Sequence, residues 1–185
     1  MGVERLGVGT SPGDLARMYD ENVDAVFGYV ARRLGADVAR DVIADVFEVA
    51  ATRLDQFDSS RGSHRAWLFG IATNLIRHHW RTEQRRLQAW ARVGGREVAL
   101  GDPLIDVDVR LDAVNDAAVV MVAIGELDPE DRDLLLLIVW ENCSHSECGE
   151  ILGIPTGTVR SRLHRVRRQL RTAVEAKSST GMVTQ

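Results

Sequence analysis

With 185 residues and a formal net charge of −4, the chain suits one domain or two small ones, and its overall acidity excludes an even coat of cation. No stretch approaches the ~20 apolar residues of a membrane span, since runs such as Leu134 to Trp140 are far too short, and no basic-then-apolar leader opens the chain. A cytoplasmic protein without a membrane segment is expected, and two cysteines do not make a disulfide framework.

Residues 1–12 are glycine-rich and are expected to be flexible. From Asp14 the apolar positions Leu15, Met18, Tyr19, Val23, Val26, Phe27, Val30 and Leu34 keep a helical period that stops at Gly35. A second helix is predicted from about Asp37 to Leu54. Val38, Val42, Val46, Phe47, Val49 and Ala50 face inward on it, and Asp41, Asp45 and Glu48 form its outer face. Residues 55–63 read as a turn-rich loop. A long third helix, about His64 to Trp90, carries a core stripe of Trp67, Leu68, Ile71 and Leu75. Its polar stripe is Asn74, Arg77, His78, Arg81 and Arg85, with His79 and Trp80 interleaved. Rings beside guanidinium groups suit single-stranded nucleic acid, because bases stack while phosphates pair with cations. Trp67 fits either a core anchor or part of that surface.

Residues 93–112 hold Gly94-Gly95, Gly101-Asp102-Pro103, Asp106, Asp108 and Asp112, and read as a flexible acidic linker. Beyond it a helix is predicted over 113–125. Asp128-Pro129-Glu130-Asp131 then opens another, with Asp128 as the cap and Pro129 at its first position. Ser144 and Glu147 have capping-box spacing. Gly153 suits a left-handed helix end, Pro155 cannot continue that helix, and Thr156 is a capping residue for the next. Gly149 inside the short helix costs about 1 kcal/mol against alanine, which predicts a soft unit. In the last helix Val159, Leu163, Val166 and Leu170 make one apolar stripe. Ser161, His164, Arg165 and Arg168 then point outward, with Arg160 on one flank. A short helix, a turn and a basic helix form the geometry that enters a DNA major groove; Thr158 and Arg162 join the candidate DNA contacts on that helix. After Glu175 the tail, 176–185, is expected to be disordered.

Charge is distributed unevenly. Residues 61–96 carry a local +7 and residues 156–177 a local +6, so the remainder holds −17. Two separate basic patches on an acidic body suggest one polyanion touched at two places, and another surface for a different partner.

In order along the chain, Asp41-Val-Ile-Ala-Asp-Val-Phe-Glu, Arg65-Ala-Trp-Leu-Phe-Gly-Ile-Ala-Thr-Asn74 and Ile151-Leu-Gly-Ile-Pro-Thr-Gly-Thr-Val-Arg-Ser-Arg-Leu-His-Arg165 resemble an extracytoplasmic-function sigma factor of bacterial RNA polymerase. The resemblance spans about residues 14–173. It implies an all-α protein of two small helical domains, 13–92 and 113–175, joined by the linker, with the second a helix-turn-helix. It further implies that Asp41, Asp45, Val46 and Glu48 grip the clamp helices of the polymerase largest subunit, with the flap as a second contact. By the same resemblance, the loop from Asp58 through Arg61 to Gly62 captures a flipped base of the minus-ten element. Asn74, Arg77, His78 and Arg81, together with Trp67, would contact that strand. Arg160, Ser161, His164 and Arg165 would read the minus-thirty-five duplex, and an anti-sigma factor is a possible partner. The chain departs from the family pattern at Ala44, where glutamine is frequent, and at His145, Cys148 and Gly149.

Two rivals compete with this reading. A repressor or activator would explain the helix-turn-helix but not the Arg/Trp/His helix before it. A zinc or redox module on Cys143, His145 and Cys148 would still lack a fourth ligand, and Cys148 is expected to face the core as a small hydrophobe. No phosphate loop, nucleophile motif or catalytic carboxylate pair stands out, so neither an enzyme nor a bound cofactor or metal is expected.

Overall fold

A computed structural model describes residues 12–60, 62–94 and 115–181. The described residues form seven α-helices and a single 3-10 turn, without strands. They are α1 (Pro12–Leu34), α2 (Ala36–Thr52), the 3-10 turn (Leu54–Gln56), α3 (His64–Gly94), α4 (Asn115–Gly125), α5 (Pro129–Val139), α6 (His145–Leu152) and α7 (Thr156–Gly181). None of these helices is long and apolar enough to cross a membrane. Most of the expected linker, residue 61 and the expected flexible stretches at 1–11 and 182–185 lie outside the described residues.

The first three helices pack on one another. α1 stops at Gly35, whose φ of 82° is readily adopted only without a Cβ, and α2 starts at the next residue. Met18, Val26, Tyr29 and Val30 meet Val42 and Val46 of α2 and Leu68, Phe69, Ala72 and Ile76 of α3 in one buried cluster. Tyr29 is fully buried and therefore needs a hydrogen-bond partner. Its hydroxyl meets Thr73 Oγ1 at 2.9 Å, and Thr73 in turn donates to the Phe69 carbonyl. Burial pushes the Tyr29 phenol up to about 12.

The second unit stacks α4, α5 and α6 against α7. As its sequence predicts, Asp128 caps α5 by accepting the Glu130 N–H at 3.0 Å, with Pro129 in the first turn. Buried Arg132 donates to the Ile124 and Leu127 carbonyls at 3.0 Å, satisfying acceptors that the end of α4 leaves open. Burial lowers the pKa of that guanidinium.

The apolar core crosses from one unit to the other. Leu134, Leu137, Cys143, Cys148, Ile151, Val159 and Leu163 belong to the same buried cluster as the α1–α3 residues. A linker alone would leave two separate cores; here α6 lies on α3 at Gly70. A Cβ built there would sit 3.5 Å from the Ile151 carbonyl oxygen, at ordinary van der Waals contact. α7 also differs from expectation, continuing past Glu175 to Gly181. The segment contains no proline, and each residue added to a formed helix gains a hydrogen bond without a new nucleation cost.

Candidate nucleic-acid interface

The outward face of α7 follows from its inward one. Val159, Leu163 and Val166 are buried, leaving Arg160, Ser161, His164 and Arg168 exposed and Thr158 half-buried. The Ser161 hydroxyl donates to the Thr158 carbonyl at 3.0 Å. Arg162 and Arg165 are drawn aside by α5. Arg162 Nη1 lies 2.6 Å from Glu130 Oε2, and Arg165 sets Nε at 3.0 Å and Nη2 at 2.5 Å from Asp131 Oδ2. The hydrogen bond from Arg165 to Asp131 holds the arginine firmly charged. The other oxygen of that carboxylate, Oδ1, is buried without a partner.

The turn that sets α7 is determined locally. The Ser144 N–H donates to Glu147 Oε2 at 2.8 Å and the Glu147 N–H donates to Ser144 Oγ at 3.2 Å, completing the capping box. The donation from the Ser144 N–H holds the Glu147 carboxyl below the usual carboxylate range. Cys143 and Cys148 flank this box at the two staple positions, where apolar side chains pin the chain's entry into a helix. Both thiols are buried. Their mutual hydrogen bond raises the Cys148 thiol, aided by burial, and lowers that of Cys143, which Arg65 also favours in its ionised form. At the other end of α6, Gly153 takes φ 67° and ψ 32°. The Ile154 N–H reaches the Gly149 carbonyl at 2.9 Å and the Gly153 N–H that of Glu150 at 3.3 Å, which is a Schellman closure. Gly149 is no mere soft spot: a Cβ there would lie 2.9 Å from the Ile154 carbonyl oxygen. The sequence signals a helix-weakening residue, whereas the structure uses its missing side chain to fold the turn back on α6.

On α3, Asn74, His78 and Arg81 are exposed, and Arg81 Nε donates to the Arg77 carbonyl at 3.2 Å. A cleft opens beside them where Phe57 meets His64 and Trp67, with ring centroids 4.2 and 5.4 Å apart. Half-buried Trp67 packs partly on the core and also lines the cleft. In the adjoining loop Asp58 Oδ1 accepts the Ser60 N–H at 2.9 Å and its hydroxyl at 2.6 Å, a local turn of the kind aspartate favours. Arg61 of this loop lies outside the described residues. The cleft has a volume of about 440 Å³, with Asp58, Trp67, Asn74 and Arg77 on one side and Glu150 and Leu152 of α6 on the other.

Arg77 is not an open cation. Its Nε lies 2.7 Å from Asp133 Oδ2, and the other oxygen of Asp133 receives Arg33. Burial works against charge on Arg33, yet Tyr29 and Asp133 outweigh it and raise its pKa. Glu141 similarly takes Arg32 and, at 3.6 Å, Arg65. The sequence singles out neither acid, because their partners lie 56 to 109 positions away and no local spacing reveals them.

The α2 face divides. Asp41, Asp45 and Glu48 are exposed, but Val46, grouped with them by resemblance, is fully buried. Val46 sits on the inward side of the helical period, so it supports that face from beneath and offers no surface to a partner.

The chain matches the family models for Sigma-70 region 2 over residues 18–86 and Sigma-70 region 4 over residues 118–170. It is 33% identical over 165 residues to the ECF RNA polymerase sigma factor SigW of Bacillus subtilis, covering 84% of this chain and 86% of that protein. In fold it resembles the sigma factor RpoE from Bartonella quintana, with a TM-score of 0.58 and 20% identity over 88% of this chain and 97% of that one. CnrH gives a TM-score of 0.58 at 24% identity, with 90% of each chain covered. The polar stripe of α3 and the outward face of α7 fall within the two matched regions, in the order region 2 then region 4. The chain belongs to the ECF sigma factors, proteins that direct RNA polymerase to promoters.

Proposed function

We propose that α7 reads the duplex of the minus-thirty-five element while α3 and its cleft hold the melted minus-ten strand. The observation carrying this division is the cleft lined by the rings of Phe57 and Trp67, with Asn74 and Arg77 on its wall and exposed His78 and Arg81 further along α3. A duplex offers no unstacked base to such a site, whereas an opened strand does. On α7, Arg160, Ser161 and His164 meet base edges, and Arg168 and Arg162 meet phosphates, with Thr158 at the entry to the groove. Arg165 joins them at its Asp131-held position. Asp41, Asp45 and Glu48 are the contact for the clamp helices of core polymerase. The chain makes and breaks no bonds; binding energy realised only on unpaired DNA draws the strands apart.

Two proteins of similar fold were solved bound to others, RpoE with the anti-sigma factor NepR and CnrH with the cytosolic domain of CnrY. An anti-sigma factor is accordingly the proposed inhibitory partner of this chain. The residue assignment is tested by run-off transcription with core polymerase on a promoter library. His164→Ala should relax upstream sequence preference, whereas Arg81→Ala should slow opening and keep that preference. Equal loss of preference from both changes would reject the division.

A further inference from the structure

We propose that Cys143 and Cys148 are a redox-modification site: hydrogen peroxide converts the two thiols to a disulfide, and the bridge disables the helix-turn-helix. The consequence for DNA rests on the reading of α7 given above. These are the only two cysteines of the chain, and both are buried. They hold the staple positions of α6, where two apolar side chains meet across the capping box. Any pair of small hydrophobes would serve that packing; two thiols in contact add a reaction. Cys148 Sγ reaches the Cys143 carbonyl oxygen at 4.0 Å, and the thiols share a hydrogen bond. Among the described residues no third His, Cys, Asp or Glu joins them in a group that would hold a metal, so the pair stands as a dithiol.

The two sulfurs have different roles. Cys143 keeps 5% of its surface exposed and Cys148 none, so peroxide meets Cys143 first. The Arg65 guanidinium lies beside that sulfur, with Nη1 at 3.9 Å, and a 3.0 Å bond from Nη2 to the Glu141 carbonyl holds it there. The hydrogen bond from Cys148 and the charge of Arg65 favour the Cys143 thiolate against burial and the Glu147 carboxylate. That thiolate is the reactive form. It attacks one peroxide oxygen, the O–O bond breaks, and hydroxide leaves as Cys143 becomes a sulfenic acid. Cys148 then attacks the sulfenic sulfur; the S–S bond forms, the S–O bond breaks, and the departing hydroxide takes the Cys148 proton as water. Two thiols lose two electrons, and one peroxide becomes two waters. The new bond, about 2.05 Å long, draws Cys148 toward Cys143, and Gly149 follows. Gly149 has no slack, since even a Cβ there would lie 2.9 Å from the Ile154 carbonyl oxygen. The displacement therefore passes to the turn that sets α7.

The test treats the reduced full chain with hydrogen peroxide, removes the peroxide, and reads mass, thiol content and run-off transcription with core polymerase. The parent should lose two hydrogens and both free thiols within a single chain, and with them its promoter-directed transcription. Dithiothreitol should restore thiols and transcription together. Cys148→Ala should stop at a sulfenic acid that dimedone labels on Cys143. Cys143→Ala, which keeps an apolar staple, should retain its remaining thiol and its transcription through the same treatment. Arg65→Gln should slow thiol loss several-fold, because the Cys143 thiolate loses its cation. Thiols that persist in the parent, bridges between chains in place of one within, or a bridge that leaves transcription unchanged would overturn the switch. Failure of the α7 assignment is read separately, on reduced protein: His164→Ala would leave upstream preference unchanged although the bridge still formed in the parent.

Discussion

The seam between the two units and the α7 surface of the second unit both pair arginine with acid, but in different settings. On α7, Arg165 keeps half its side chain in water and Arg162 pairs with a Glu130 that is more than half exposed. At the seam, the Asp133 side chain is 1% exposed and its partner Arg33 5%. Surface pairs contribute about 0–1 kcal/mol and are screened by salt. A buried pair depends on both members, because either one left alone is a desolvated charge. The pairs on α7 are therefore of the weakly held kind, whereas the pair at the seam holds only while both of its members are present.

Asp133→Ala tests that contrast most severely. It strands buried Arg33 and should cost about 3–5 kcal/mol in urea unfolding, and a loss under ~1 kcal/mol would erase the distinction from a surface pair. Gly149→Ala comes next. Alanine is the better helix former, yet overpacking against the Ile154 carbonyl should cost about 1–3 kcal/mol, visible as a lower melting temperature. Acidification probes the capping box. Because the folded state depresses the Glu147 pKa, this contribution is whole above the ordinary glutamate pKa of about 4.3. It fades as pH falls through the lower folded value. Thermal melts of parent and Glu147→Gln should converge over that acidic window and separate near neutrality. The smallest effect belongs to Arg162→Ala, at most about 1 kcal/mol in stability. That change should still reduce the salt dependence of duplex binding by about one counterion.

What the sequence revealed follows the same division. Residues within one turn of each other, such as Ser144 with Glu147, Asp128 with Pro129, or the Val159–Leu163–Val166 stripe, carry spacing rules that survive folding. The outward set Arg160, Ser161, His164 and Arg168 follows from that stripe alone. Tyr29 with Thr73 and Arg33 with Asp133 lie 44 and 100 positions apart, and no periodicity links them. Gly149 was visible as an anomaly, but its purpose depends on where Ile154 arrives in space. Val46 shows the opposite hazard: its helical phase already placed it inward, and resemblance assigned it to a surface that phase excluded.

The close contact at Gly149 also acts at a distance. α7 leaves the turn at Thr156 as an unbroken rod, and Arg168 lies twelve residues along it, about 18 Å at 1.5 Å per residue. A pivot of only ~5° at its base would swing that side chain sideways by roughly 1.5 Å over such a lever arm, half a hydrogen-bond length. A single methyl group at the fulcrum would thus re-aim the whole rod, so the smallest residue of the turn sets where the outward side chains of α7 point.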